Sequence, residues 1–553
     1  MSKKKKAAGP APEGAKPNPA AEDGGVRRGT VLAARYWPLL VAVLTFALYA
    51  GRLNRNFYFR GGDNAAYFSL AQALVQGRGY TNIYTYPATP HTKYPPVYPL
   101  MLAAVMWGFG ENVTLMKLEL VLCAALLAWG LGLLVRAREP PPLAAAATLL
   151  ALAMPFLLAY SILLFSEIPF TAFAFAALGC AEVSRGRRSW RDPYYYLAVA
   201  FLVLACLTRS AGLVLMPALV MTFGLAPPVG ARLRFNLARA GGVAGGYLLA
   251  IGAWTLRCHL RTESVDTGYW QEFLLQDPFN ANSPLIGFGD LMHRSGSNAH
   301  YYLAKIGAQF IGLRTDPAPP GVIAVGIIII IAVAAGFVLV VRRRRSGPEF
   351  YALASAAMLL FWSFQEDRML ISLYPLMIYY LLKGVEGAGE ALARSMKRPA
   401  IKWVPLGLIG TIAFCAYAVV DVGLLDEGRQ WRKAEGFEVN PHFLIVATTA
   451  PMTNLLRLSI WVRQHAGPEA VVMARKSTLV YLAGNRPCVG GPFSSDPAEF
   501  IANLEKRNVS YLIIDQDSEE MDKYFIPAIT AYRNRFELQY QLIGARNQIY
   551  KFR

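Results

Sequence analysis

Charged residues are scarce in this sequence of 553 residues, where Asp, Glu, Lys and Arg together make up 16%. Hydrophobic residues make up 55%, and the mean hydropathy is +0.32. Soluble domains of this length are rarely so apolar, which excludes an ordinary globular protein. Repeated apolar runs of about twenty residues instead predict a polytopic α-helical membrane protein.

Other absences remove further classes of function. The six cysteines form no CxxC pair, and most lie in apolar runs where a cysteine acts as a small hydrophobe. His259, His293 and His300 lack the i, i+4 pairing of a helical metal site, so we predict no metal ligand set. The sequence also has no internal repeat, which argues against a transporter built from repeated halves.

Positive charge is in excess, with a formal net charge of +19. The basic residues lie between the apolar runs rather than on one folded surface, which favours the positive-inside rule over nucleic-acid binding. Residues 1–30 begin MSKKKK and are rich in Ala, Pro and Gly, so we expect a disordered cytoplasmic tail. No small-residue cleavage site precedes Gly51, so the first apolar run is predicted to stay as an anchor.

The positive-inside rule gives a consistent topology of about eleven spans, with the N-terminus inside and the C-terminus outside. The predicted spans are 36–50, 113–135, 142–160, 168–183, 194–208, 211–226, 241–258, 321–341, 350–364, 370–382 and 403–420. Two large external loops result, at 52–111 and 259–320, within a transmembrane domain of residues 31–423.

Hydropathy falls after about residue 424. Short apolar strands at 471–474, 511–515 and 537–544 alternate with helical patterns at 477–484 and 497–508. This alternation predicts a small α/β domain over residues 424–553, on the external side.

The first external loop is too polar to span a bilayer, yet apolar residues recur at helical spacing between 67 and 75. We expect amphipathic juxtamembrane helices that lie along the membrane surface. The loop begins with an acid in a glycine turn, Asp63 after Gly61-Gly62, and carries Lys93 thirty residues later. An acid and a base are thereby predicted at the lipid edge.

Five charged residues fall at external span ends or loops in this topology: Asp63, Lys93, Glu167, Arg209 and Arg368. Charges near a membrane usually face a cavity or each other, so they are candidates for function. A carboxylate can deprotonate a hydroxyl while fixed cations hold a phosphate, without a metal being required.

Each candidate also has a structural alternative. Asp63 could cap the following helix, and Glu167 could favour a helix N-terminus through the dipole. Lys93 and Arg209 could extend to lipid headgroups. Arg368 could pair only with its neighbours Glu366 or Asp367.

Five short motifs occur along the chain, and their order carries a resemblance to a known family. They are Gly62-Asp63 with Tyr67, KYPPVYP at 93–99, SEIPF at 166–170, LTRSAGL at 207–213, and Arg368 followed by YPLM at 374–377. Over residues 31–420 the chain resembles the C-type (GT-C) membrane glycosyltransferases, in the branch of the protein O-mannosyltransferases and the lipid A aminoarabinose transferase.

The resemblance implies inverting transfer of a sugar from a polyprenyl-phosphate donor to a lipid, glycan or protein acceptor. It places the active site on the periplasmic side of a bacterial inner membrane. It also implies that Asp63 is the catalytic acid-base residue and that Lys93, Arg209 and Arg368 contact the donor phosphate.

Further contacts follow from the same resemblance. Glu167, Tyr67 and Tyr94 are possible substrate or metal contacts, and a divalent cation is possible but not required. Two departures from the family pattern matter: Tyr94 separates Lys93 from the prolines, and the acidic doublet is Asp63-Asn64 here. The alternative function is a lipid or solute transporter with an external accessory domain.

Overall fold

The computed structural model describes residues 36–59, 62–187, 189–225, 233–261, 269–277, 283–310, 319–399, 404–407, 410–411, 435–447, 449–492, 494–515, 521–543 and 546–553. The predicted tail, 1–30, and most of the predicted span at 403–420 lie outside the described residues.

Helices dominate the chain before its C-terminal part. They are α1 Tyr36–Ala50, α2 Asp63–Val75, α3 Val97–Phe109, α4 Val113–Arg136, α5 Pro141–Leu152, α6 Pro155–Tyr160, α7 Glu167–Ser184, α8 Pro193–Thr208, α9 Leu215–Gly224, α10 Leu233–Arg261, α11 Tyr269–Leu274, α12 Phe288–Phe310, α13 Pro320–Arg343, α14 Gly347–Phe361 and α15 Tyr374–Ser395. Short 3₁₀ helices at Ser210–Val214 and Asp367–Ser372 precede α9 and α15. Several helices begin with proline, whose missing N–H is harmless in the first turn.

Among the described residues, three helices are long and apolar enough to cross a membrane: α4, α7 and α13. Shorter apolar helices accompany them, among them α1, α5, α8 and α14. The third predicted span is divided, because α5 ends at Leu152 and Pro155 begins a new helix. The number of eleven spans therefore stays a prediction.

The segment 259–320, predicted as a long loop, contains the 23-residue helix α12. This helix crosses α13 at two glycines, Gly307 and Gly326. A Cβ on either glycine would lie 2.1 Å from a carbonyl oxygen of the facing helix. Small residues allow helix backbones to approach this closely. The segment predicted as a long external loop thus contains a helix, which hydropathy did not indicate because polar residues interrupt α12 and leave it without a continuous apolar run.

Helix α2 differs from the prediction in where its apolar side chains lie. Tyr67, Phe68 and Leu70 are buried inside the protein rather than facing lipid. The most exposed apolar side chains of the first loop belong to α3, where Trp107 is 84% exposed and Phe109 is 67% exposed. The prediction of an amphipathic surface helix over 67–75 was therefore wrong, because protein covers both faces of α2.

Helix α7 joins two charged clusters. Glu167 is its first residue, and Glu182 lies fifteen positions later, which corresponds to about 22 Å along a helix. Around Glu182, the buried Arg138 bonds both Glu182 at 2.6 Å and Glu349 at 2.5 Å. Arg344 also contacts Glu182. Basic residues from two predicted cytoplasmic loops thus gather at the end of α7 that is remote from Glu167.

Strands fill the C-terminal part. They are β4 Gly436–Asn440, β5 Phe443–Ala447, β6 Val471–Met473, β7 Cys488–Val489, β8 Val509–Ile514, β9 Phe536–Gln541 and β10 Gln548–Phe552. Helices α16 Ala450–His465, α17 Ser477–Gly484, α18 Pro497–Lys506 and α19 Ile526–Ala531 alternate with them. One sheet has the order β7-β6-β8-β10-β9, with β6 parallel to both of its neighbours. The predicted mixture of helices and strands is confirmed.

The first loop also contributes strands: β1 Asn56–Phe59, with the short pair β2 Thr81–Asn82 and β3 Thr89–Pro90. Strand β1 pairs in parallel with β5, placing Phe57 opposite Ile445. Phe57 and Phe443 pack edge to face at 5.7 Å. The first loop and the C-terminal part therefore share one sheet and one hydrophobic core, which the sequence did not predict.

The close crossing of α4 and α7 gives a test of the fold. A Cβ on Gly179 of α7 would lie 2.2 Å from the Gly130 carbonyl oxygen of α4, and a backbone atom cannot rotate away. We expect Gly179→Ala to destabilise the protein by about 1–3 kcal/mol, because the helices must separate.

Gly245→Ala in α10 is the matched control, since nothing lies within 4 Å of its added Cβ. The measurement is thermal unfolding in detergent. Equal melting temperatures for the two variants would contradict the close crossing of α4 and α7.

Candidate active site

Asp63 is the first residue of α2 and lies where the first loop meets the helical bundle. Its Oδ1 accepts a hydrogen bond from the Tyr94 hydroxyl at 2.7 Å, and its Oδ2 accepts one from Arg368 Nη2 at 2.6 Å. Gly62 occupies the N-cap position, and no side chain caps the helix. The alternative that Asp63 is a capping residue is therefore wrong.

These partners decide the charge of Asp63. Burial alone would raise its pKa, but the positive charge of Arg368 and the hydrogen bonds from Tyr94 and Arg368 outweigh burial and lower the pKa to about 2. Lys93 contributes in the same direction. Asp63 is consequently ionised at every pH near neutrality.

Glu167 connects two of the predicted cations. Its Oε1 accepts a hydrogen bond from Arg209 Nη1 at 2.7 Å and lies 3.5 Å from Arg368 Nη1. Arg209 also donates to Ser166 Oγ at 2.9 Å. Arg209 is mostly buried, with 18% of its side chain exposed, so the alternative that it extends to headgroups is wrong. Arg368 contacts Asp63 and Glu167, so the alternative that it pairs only with its neighbours in sequence is also wrong.

Tyr67 lies between the two carboxylates. Its hydroxyl is 3.0 Å from Ser166 Oγ, and its ring packs against Tyr94 and Tyr98 with centroids 4.9 Å and 5.0 Å away. Because α2 places Tyr67 one turn after Asp63, both side chains share a helix face. The structure thus brings Asp63, Tyr67, Tyr94, Glu167, Arg209 and Arg368 into one cluster.

Lys93 lies at the edge of this cluster and pairs with a different partner. Its Nζ is 2.6 Å from Glu272 Oε1 and 5.6 Å from the centroid of the Tyr269 ring. Tyr94, the residue that separates Lys93 from the prolines, is the one that reaches Asp63. The two adjacent side chains therefore point to two different acids, and the headgroup alternative for Lys93 is wrong.

Three residues of the site were not predicted as its members: Ser166, Glu272 and His91. Glu272 is 6% exposed and lies in α11, in the segment predicted as a loop. His91 is buried against Tyr94, with ring centroids 5.1 Å apart. The sequence could have indicated His91, because it is the one histidine of the first loop, which carries Asp63 and Lys93.

The possible divalent cation stays a prediction. Among the described residues, no three His, Cys, Asp or Glu side chains are grouped to hold an ion. Both Asp63 oxygens already accept hydrogen bonds. One oxygen, Glu167 Oε2, is buried without a hydrogen-bond partner, so Glu167 is the side chain here best suited to an added cation.

Solved structures similar to this chain are polytopic GT-C membrane glycosyltransferases, and the chain shares their fold. The chain is similar to ArnT from Cupriavidus metallidurans in the apo state, with a TM-score of 0.58 and 13% identity over 94% of this chain and 98% of that one.

Two further structures show the same fold. ArnT from the same organism bound to undecaprenyl phosphate gives a TM-score of 0.57 and 13% identity over 93% of this chain and 98% of that one. The Archaeoglobus fulgidus oligosaccharyltransferase tethered with an acceptor peptide gives 0.54 and 14% identity, over 93% of this chain and 74% of that one. No family model matches the sequence, and no curated protein does.

The Lys93–Glu272 pair gives a test of the site's electrostatics. Burial lowers the pKa of Lys93, but Glu272 outweighs burial and raises it. In Glu272→Gln the lysine loses that anion, so its pKa should fall and more free amine should form. We expect faster acylation of Lys93 at pH 8, measured by peptide mass spectrometry.

The exposed Lys551 serves as an internal reference in the same digest. An unchanged ratio of Lys93 to Lys551 labelling would show that Glu272 does not hold the lysine.

Proposed function

We propose that the protein is an inverting glycosyltransferase that moves a sugar from a polyprenyl-phosphate donor to an acceptor hydroxyl at this site. The observation that carries the proposal is an ionised, half-buried Asp63 that is paired with Arg368, which also approaches Glu167, within a GT-C fold. The undecaprenyl phosphate bound to one of the similar ArnT structures supports this donor class.

Asp63 acts as the general base in this proposal. As the acceptor oxygen bonds to the anomeric carbon, its proton passes to Asp63 Oδ. The bond from the anomeric carbon to the phosphate oxygen breaks, and the electron pair stays on the phosphate. Attack opposite the leaving group inverts the anomeric centre. A positioned base contributes about 10²–10⁴-fold to such a step.

Arg209 and Arg368 stabilise the departing phosphate. Both guanidiniums contact Glu167 in the free protein, so their charge is already balanced by carboxylates. A phosphate that draws Arg368 away from Asp63 would also raise the proton affinity of Asp63. Donor binding thereby strengthens the base at the moment when it is needed.

The proposed orientation places this site on the periplasmic side of a bacterial inner membrane, with the N-terminus inside and residues 424–553 outside. The cluster of Arg138, Arg185 and Arg344 around Glu182 supports it, because these basic residues lie at the end of α7 remote from Glu167. Basic residues collect on the cytoplasmic side of membrane proteins.

The test of the base is Asp63→Asn, which keeps the size of the side chain and removes the negative charge. We expect turnover to fall by about 10²–10⁴-fold. The assay follows loss of radiolabelled sugar from a panel of undecaprenyl-phosphate sugars in membranes that supply native acceptors. Binding of undecaprenyl phosphate should be retained, and turnover above a tenth of the parent rate would contradict the base.

The test of the phosphate site is neutralisation of its cations. Arg209→Gln and Lys93→Gln should each weaken binding of undecaprenyl phosphate by about tenfold or more, since charge-assisted hydrogen bonds contribute about 1.5–3 kcal/mol. Arg191→Gln, an exposed arginine in a predicted cytoplasmic loop, is the control. Parent-like affinity in both site variants would remove them from the donor site.

A further inference from the structure

We propose that His91 is a positioning residue that holds the Tyr94 hydroxyl on Asp63. This inference rests on the proposed function of Asp63 as the base. Its starting point is that Tyr94 is the one hydroxyl bonded to Asp63 among the described residues, while His91 bonds the backbone of that same tyrosine.

The hydrogen bonds of His91 fix its tautomer. Nδ1 lies 2.6 Å from Asn82 Oδ1, an oxygen that only accepts, so Nδ1 carries the proton. Asn82 is oriented in turn, because its amide nitrogen donates to Thr89 Oγ1 at 3.2 Å. Nε2 is then free to accept, and the Tyr94 N–H donates to it at 2.7 Å.

The imidazole stays neutral in this role. Burial lowers the pKa of His91 to about 3, and the positive charges of Arg257 and Lys93 act in the same direction. Protonation would add a hydrogen to Nε2, directly opposite the Tyr94 N–H, and Nε2 could no longer accept. A neutral ring is therefore the state in which the contact holds.

Tyr94 is held at four points. His91 accepts from its N–H and stacks on its ring at an interplanar angle of 25°. The Tyr80 hydroxyl donates to its carbonyl at 2.9 Å. The fourth point is the hydroxyl of Tyr94 itself, which donates to Asp63 Oδ1 at 2.7 Å.

Arg257 anchors this arrangement to the helical bundle. Its guanidinium donates to the His91 carbonyl and, at 2.9 Å, to the Tyr80 carbonyl. Arg257 belongs to α10, whereas His91, Tyr80 and Tyr94 belong to the first loop. The loop is thus fixed to the bundle at the residues that orient Tyr94.

The test measures the protonation of Asp63 without any substrate. A water-soluble carbodiimide with an added amine labels protonated carboxyls, and peptide mass spectrometry resolves each site. Asp63 has 29% of its side chain exposed, so reagent can reach it. Arg368 and Lys93, the other charged groups that act on Asp63, are unchanged in every variant.

We expect His91→Phe, which keeps a ring but loses both hydrogen bonds, to increase labelling of Asp63 at pH 5 by about tenfold, equal to one pKa unit. Tyr94→Phe should give an increase of similar size. His91→Gln, whose amide oxygen can still accept from the Tyr94 N–H, should label like the parent protein. The exposed Asp290 gives the reference rate.

A double variant separates positioning from general loosening. If His91 acts through the Tyr94 hydroxyl, His91→Phe adds nothing in the Tyr94→Phe background, whereas independent structural damage would add. Retained binding of undecaprenyl phosphate confirms that the variants are folded. Parent-like labelling in His91→Phe, or additive effects in the double variant, would overturn the proposal.

The outcome is independent of turnover. If Asp63→Asn proved active, the proposed function would fail while the labelling result on His91 stood. If His91→Phe left Asp63 labelling unchanged, the positioning role would fail while the proposed base remained.

Discussion

The ion pair between Asp63 and Arg368 is the contact on which the rest of the site depends. The two residues are 305 positions apart, and their charged atoms meet at 2.6 Å. The pair ties the first loop to the segment between α14 and α15, and through Arg368 it reaches Glu167 and Arg209. Neither charge would be stable alone in this half-buried position, because an unpaired buried ion is costly. The segments that form the site are thus held together by ion pairs between their charged side chains.

A second constraint comes from the C-terminal part, which is joined to the first loop at several points. Strand β1 completes the sheet of β4 and β5, and the Thr478 hydroxyl donates to the Gly62 carbonyl at 3.1 Å. Gly62 is the residue before Asp63. Lys117 of α4 adds a bond from the bundle to the Asn56 carbonyl at 2.6 Å. The position of Asp63 therefore depends on both the bundle and the C-terminal part.

Much of this could be predicted from the sequence, because apolar runs and strand alternation are local signals. Helices α4, α7, α8 and α13 and strands β6, β8 and β9 lie close to where the sequence predicts them. Of the five charged residues singled out, four fall in one cluster. The failures concern contacts between distant segments. Helix α2 is buried in part by Phe443, and Lys93 pairs with Glu272. A local pattern of residues cannot predict such contacts between distant segments.

The charge balance of the cluster suggests why so many ions are gathered in one place. Asp63 and Glu167 offset Arg368 and Arg209, while Glu272 offsets Lys93. An anion that enters this balanced set must compete with the carboxylates for the same guanidiniums. Every interaction that it gains with Arg368 weakens the hold of Arg368 on Asp63 and raises the proton affinity of that carboxylate. The hydrogen bond from Tyr94 limits that rise, and in the proposed function it keeps Asp63 ionised until a hydroxyl proton is presented to it.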